Sequence, residues 1–324
     1  MQVRPAIPAD VERSRDRFDD LLPDRWRRGN NRRSFVAVDP DGRVLGHCRG
    51  IDNDFHPASR VLVVDLLPEA RGHGVDDELL RAQVAVSSLP LHLKLTEPDR
   101  DLRALAERHG GVAIQAMPPW RYLVGPELRA WAAAQPPPEG SVGPIRNTER
   151  EAALELFLEN YTAQHAAWSP AAPIDRLKTE FAADFTAGSD NAFDPVSSVA
   201  LRRHDRLAAQ ALLYLPDPED PSGGRELGLQ SRPYAGPGAR ADLEACLAAV
   251  IGRAADGDVL LIDSHLTERT EFQMMEQVPG PAPGGSWTAI VAIGVPGGTE
   301  PIPLPRDLIP EEAAWIRGTA QPGS

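Results

Sequence analysis

The chain predicts a mixed α/β protein built as two consecutive units of one plan, and three observations carry that expectation. Apolar runs of strand length alternate with amphipathic stretches of helix length from residue 2 to residue 124. A proline-rich break follows, centred on Gln135-Pro136-Pro137-Pro138-Glu139-Gly140-Ser141, which continues neither a helix nor a central strand. Beyond it the same order of elements starts again, although individual residues do not repeat closely. The expected division is a first domain at 1–125, a linker at 126–140, a second domain at 141–294 and a tail at 295–324.

In the first half, Gln2–Ala6 reads as a strand and Asp10–Leu22 as a helix with Val11, Phe18, Leu21 and Leu22 along one side. Strands at Phe35–Val38 and Arg43–Arg49 flank Asp39-Pro40-Asp41-Gly42, a strong hairpin turn. The apolar run Val61–Val64 is a buried strand closed by Pro68. A basic glycine turn, Arg71-Gly72-His73-Gly74, leads into a helix that opens with Asp76 and Asp77 and runs to about Ser87. Leu91–Leu95 is a strand, Asp99–His109 a helix, and Val112–Ala116 with Trp120–Val124 the last strands.

The second half begins with a strand at Ser141–Arg146 and a helix at Thr148–Ala167. Ser197–His204 and Leu207–Leu215 form a hairpin around His204-Asp205-Arg206, and Glu226–Ser231 is a strand. A second glycine turn, Gly236-Pro237-Gly238, precedes a helix over Arg240–Ala255. Strand, helix and strand follow at Val259–His265, Glu268–Glu276 and Ser286–Ile293, and the tail holds a short helix around Pro310–Arg317 that packs Trp315 and Ile316.

Composition narrows the function. Hydrophobic residues at 42% with 25% charged describe a soluble globular chain. No apolar stretch approaches the roughly 20 residues of a membrane helix, and the charged N-terminus has no secretory apolar core. Two cysteines, Cys48 and Cys246, make no disulfide framework, and no Cys/His cluster has metal-ligand spacing. These features point to a reducing cytoplasm. The net charge of −13 argues against nucleic acid as a partner, since phosphate contacts need a dense basic surface.

A strand, a glycine turn and a helix N-terminus together form a phosphate-binding device: glycine lets the backbone approach, the first helical N–H groups lack internal partners, and the helix dipole favours negative charge. The pattern P-x-x-R-G-x-G made by Pro68, Arg71, Gly72 and Gly74 resembles the acyl-CoA pyrophosphate loop of the GNAT superfamily of acyltransferases. With its duplicated element order the chain is similar to a tandem GNAT protein over residues 1–125 and 141–294. The resemblance implies an α+β fold, with two domains each holding a mixed, mostly antiparallel twisted sheet flanked by helices. It implies acetyl-CoA or another acyl-CoA as co-substrate, without a metal. The activity implied is N- or O-acyl transfer to a small molecule or short peptide by a monomer or homodimer, with modification of a specialised metabolite fitting the family's breadth better than histone or ribosomal targets. The pantetheine arm is expected beside Val64 and Leu66, with the pyrophosphate among the N–H groups of Arg71, Gly72, His73, Gly74 and Val75. Asp76 stands where the superfamily usually has Gly or Ala, which leaves a capped helix without a ligand as the alternative.

Acyl transfer needs a base for the acceptor. The resemblance points to a carboxylate on the strand before the loop, here Asp65, with Glu226 on the corresponding strand of the second half; a buried ion pair is the other reading of Asp65. The helix that often carries a tyrosine acid has none at Arg103–Gly110 or at Phe272–Glu276. That gap keeps open a non-catalytic acyl-CoA-binding or sensor protein. Tyr161 and His165 share a helix face at i, i+4 and Trp168 follows, in a region that often lines the acceptor site; core packing is the alternative. Arg25, Arg27, Arg28, Arg32 and Arg33 make a dense basic patch, suited to an anion or to a solvated loop. In the second glycine turn Ala235 replaces the arginine and Pro237 removes a donor, although Arg240 remains nearby.

Overall fold

Two mixed sheets carry the chain. The computed structural model describes residues 1–25, 32–204, 206–216, 223–232, 236 and 238–320. It divides into a first unit of Met1–Ala116, Ala167–Pro170 and Thr288–Ser324, and a second of Met117–Ala166 and Ala171–Trp287.

The first unit runs β1 (Gln2–Pro5), α1 (Pro8–Ser14), β2 (Arg32–Val38), β3 (Val44–Asp52), β4 (Arg60–Leu66), α2 (Val75–Val86), β5 (Leu91–Thr96), α3 (Arg100–Arg108) and β6 (Val112–Met117). Its strands β1 to β4 are antiparallel neighbours in sequence order. Helix α2 covers one face through Val75, Leu79 and Leu80, all buried. Phe18, Leu21, Val36, Val38, Val44 and Leu67 form a second apolar cluster. The helix expected over Asp10–Leu22 stops at Ser14, and Phe18 and Leu21 enter the core from irregular chain. Asp19 and Asp20 would lie at the negative end of a longer helix, and Pro23 disfavours a helical Leu22.

The second unit runs β7 (Arg121–Leu123), α4 (Pro126–Ala133), β8 (Ser141–Pro144), α5 (Arg150–His165), α6 (Ile174–Glu180), α7 (Ala182–Phe185), β9 (Val199–Arg203), β10 (Arg206–Leu213), β11 (Arg225–Ser231), α8 (Ala239–Ile251), β12 (Val259–Ile262) and α9 (Arg269–Met275). The expected linker is corrected at its start. Pro126 opens α4, a position that needs no N–H donor, and Leu128 is buried while Arg129 donates to the carbonyls of Ile251 and Ala254 at 2.9 and 2.8 Å.

The last strand, β13 (Thr288–Ile293), departs furthest from a split into halves. The first sheet has the order β1-β2-β3-β4-β5-β13-β6, and the second β7-β12-β11-β10-β9-β8. Strand β13 pairs antiparallel with β5 along its whole length, from Thr288 opposite Thr96 to Ile293 opposite Leu91. Strand β7, expected to finish the first domain, instead pairs antiparallel with β12. Each sheet therefore takes one strand from the other half of the sequence. The tail packs on the first unit as a 3-10 segment at Glu311–Ala320, with Ile316 buried and Trp315 under the Arg103 guanidinium.

Candidate active site

Strands β4 and β5 run parallel but pair only at their starts, Arg60 with Leu91 and Val61 with His92. Beyond Val61 they part. Leu67 donates its N–H to the Leu45 carbonyl on the β3 side. Backbone polar groups alternate between strand edges, so those of Leu66 and Val64 face the gap towards β5. This is an open strand edge inside a sheet. It leads past a 3-10 turn at Pro68–Ala70 into the glycine turn and α2.

Gly72 and Gly74 adopt left-handed backbone, with φ of +72° and +73°, and a Cβ on either would meet no atom within 4 Å. No side chain caps the N-terminus of α2, so its first N–H groups are available to an anion. A cavity of about 600 Å³ joins these parts, lined by Val64, Asp65, Leu66, Arg71, Gly72 and Gly74 among others. That volume lies in the range of small-molecule sites. Arg71 is exposed and pairs with no carboxylate among the described residues, whereas the Val75 side chain is buried, which leaves only its backbone N–H as a candidate donor. His73 is exposed on the turn. These groups fit a pyrophosphate joined to an extended chain that pairs with a strand edge.

Acids crowd the same place. Asp76, Asp77 and Glu78 occupy the first turn of α2. Arg108 Nη2 donates to Asp76 Oδ2 at 2.9 Å and to Asp77 Oδ2 at 3.0 Å, and His109 Nε2 lies 2.9 Å from Asp77 Oδ1. The Arg108 hydrogen bonds hold the Asp77 carboxyl below its usual range, against the effect of burial. The sequence gives no sign of this arrangement, because Arg108 stands 31 and 32 residues away from its partners.

Asp65 is exposed and lines the cavity. It makes no ion pair among the described residues, so the buried-pair reading of this residue falls. Its cross-strand neighbour on β3 is His47, wholly buried against Phe18, with both ring nitrogens lacking a hydrogen-bond partner. Burial, with Arg49 adding to it, pushes the His47 pKa down to about 4. Glu226 is exposed near the start of β11, in the other unit. Counted back from the strand ends at Leu66 and Ser231, the residue matching Asp65 is Gln230, which is buried and bonded to Gln210.

The second unit repeats the parting of strands but closes it. β11 and β12 pair only from Arg225 to Leu227. The N–H of Arg232 bonds the Ala208 carbonyl on the β10 side, so Ser231 faces the gap, and there Asn160 of α5 occupies both of its backbone groups. Only about 20 Å³ remains, beside Gln164, Glu268 and Glu271. Glu268 ties His265 to Gln164, at 2.6 and 2.8 Å. Burial, helped by the charge of Glu268, holds Glu271 well above the usual carboxylate range. Gly238 opens α8 with left-handed backbone, and Arg240 is committed to Glu244 and Gln277. Tyr234, Ala235 and Pro237 of that turn, and Arg27 and Arg28 of the basic patch, lie outside the described residues.

Tyr161 and His165 do share a face, with rings 4.2 Å apart, and His165 Nδ1 lies 2.7 Å from the Tyr161 carbonyl. Both belong to the second unit, whereas Trp168 belongs to the first, against Val112, Ile114 and Ala292. No helix among the described residues is long and apolar enough to cross a membrane, and no group of His, Cys, Asp or Glu among them is placed to hold a metal.

No protein-family model and no curated protein sequence matches the chain. Solved structures do. A GCN5-related N-acetyltransferase from Sphaerobacter thermophilus matches at 14% identity and a TM-score of 0.52, over 94% of this chain and 97% of that one. Another from Anabaena variabilis ATCC 29413 matches at 12% identity and 0.52, over 90% and 72%. The chain thus has the fold of GCN5-related N-acetyltransferases over nearly its whole length, in the two-sheet form that its sequence predicts.

Proposed function

We propose that the first unit binds an acyl-CoA, acetyl-CoA in the simplest case, and that the chain is an acyltransferase acting on a nitrogen or oxygen of a small molecule or short peptide. One observation supports this above others: the open edge of β4 leads through a glycine turn with room for an anion to the uncapped N-terminus of α2. In this reading Val64 and Leu66 pair with the pantetheine amides. The N–H groups from Arg71 to Val75 hold the pyrophosphate, and the Arg71 guanidinium adds charge. Asp65 takes the acceptor's proton as its lone pair attacks the thioester carbonyl. The new C–N or C–O bond forms, the C–S bond breaks, and solvent protonates the leaving thiolate, because α3 offers no tyrosine.

The test is thermal stabilisation by acetyl-CoA together with thiol release against a panel of amines and alcohols. Gly72→Glu should abolish the stabilisation, since side chain and charge would enter the pyrophosphate space. Stabilisation that survives Gly72→Glu would overturn the site. A second reading, an acyl-CoA-binding protein without turnover, is favoured by the missing tyrosine; stabilisation without thiol release from any acceptor would select it.

A further inference from the structure

Three acids in the first turn of α2 oppose an anion at that helix end, unless their charges are met. Glu78 pairs with Arg81 on the same helix. The other two are met by the last residue of α3, which His109 joins at Asp77. Arg108 bonds both Asp76 and Asp77 through Nη2, and its Nε reaches Asp77 Oδ1 at 3.2 Å. The two carboxylates are 16% and 20% exposed, drawn towards α3, while the space at Gly72 and Gly74 stays open. Arg108 is 46% exposed and, like the two aspartates, lines the same cavity.

We propose that Arg108 is a positioning residue of the donor site. It acts through Asp76 and Asp77, cancelling their charge and holding them off the pyrophosphate, so that an acidic glycine turn still binds an anion. Its Nε and Nη2 are engaged by the two carboxylates, and Arg71, on the turn itself, makes the direct phosphate contact; the triple variant below separates this role from a phosphate contact through Nη1. This inference rests on the acyl-CoA reading.

The experiment is calorimetric titration of coenzyme A into four full-length proteins: wild type, Arg108→Gln, Asp76→Asn with Asp77→Asn, and the triple variant. Arg108→Gln should weaken binding roughly 3- to 30-fold, the effect of two uncancelled charges at a helix end. The double variant should bind at least as tightly as wild type, and the triple variant as tightly as the double, because nothing is left for Arg108 to hold. A triple variant as weak as Arg108→Gln would overturn the proposal by assigning Arg108 to the coenzyme or to the fold itself, and so would an unaffected Arg108→Gln. If only the proteins with neutral Asn at 76 and 77 bind, the turn is a coenzyme turn and the proposed cancellation is wrong. If none binds, the acyl-CoA reading falls and takes this inference with it.

Discussion

Asn160 Nδ2 donates to the Ser231 carbonyl at 3.0 Å, and the Ser231 N–H donates to Asn160 Oδ1 at 3.1 Å. One side chain thereby occupies both backbone groups at the edge of β11 that β12 leaves open. The remaining space of about 20 Å³ holds about one water. Asn160→Leu would leave two buried backbone groups unpaired, at roughly 1–3 kcal/mol each. The melting temperature should fall, while the affinity for acetyl-CoA stays at the wild-type value. A change in that affinity would place the donor in the second unit.

Asp65→Asn should leave the melting temperature and acetyl-CoA affinity nearly unchanged, because the carboxylate is exposed and makes no ion pair among the described residues. Turnover should drop by roughly 10²–10⁴-fold, the usual contribution of a general base. Steady-state kinetics and calorimetry on one preparation check both. Unchanged turnover removes Asp65 from the mechanism.

His47 gives stability a defined pH dependence. Its pKa is about 4 when folded and about 6.5 in an unfolded chain. Between those values the unfolded chain takes up a proton that the buried ring does not, so stability falls as pH drops from 6.5 towards 4, by roughly 3 kcal/mol in all. His92, also held at about 4 by burial, contributes with the same sign. Melting curves from pH 7 to 4.5 should fall less steeply for His47→Leu than for wild type. Parallel curves would show that His47 is not the titrating group.

A fragment of residues 1–140 lacks β13 and leaves all six residues of β5, Leu91 to Thr96, without their antiparallel neighbour. It should not give a folded, monomeric domain by circular dichroism and gel filtration, and adding 141–324 should recover the soluble form. A stable monomer of 1–140 would show that β13 is dispensable.

Much of this was legible in the sequence because it is local. Period-2 and period-3.6 patterns mark most strands and the longer helices, and the spacing from Pro68 to Gly74 marks the turn, but α4, α6 and α7 carry no such signal and α1 ends eight residues before its pattern does. The remaining features depend on partners far along the chain. The apolar context of Val61–Leu67 suggested a buried Asp65, but the pattern does not record that β5 parts from β4 there and leaves the side chain exposed. Asn160 and Ser231 stand 71 residues apart, and neither residue type announces a plug. The pattern marks β7 and β13 as strands but not the sheets they join, since hydrophobic alternation encodes burial and not the identity of the neighbour.

The place of β13 between β5 and β6 also sets a timetable for biosynthesis. A nascent chain emerges from its N-terminus, yet the first sheet keeps an interior vacancy until Ile293 has left the ribosome. The second unit, whose last residue is Trp287, has its full complement of strands earlier. At 5–20 residues per second, residues 1–116 wait on the order of 10–35 s for their missing strand. The part made first is finished last, and throughout that interval the β5 edge is a template that any passing strand can join.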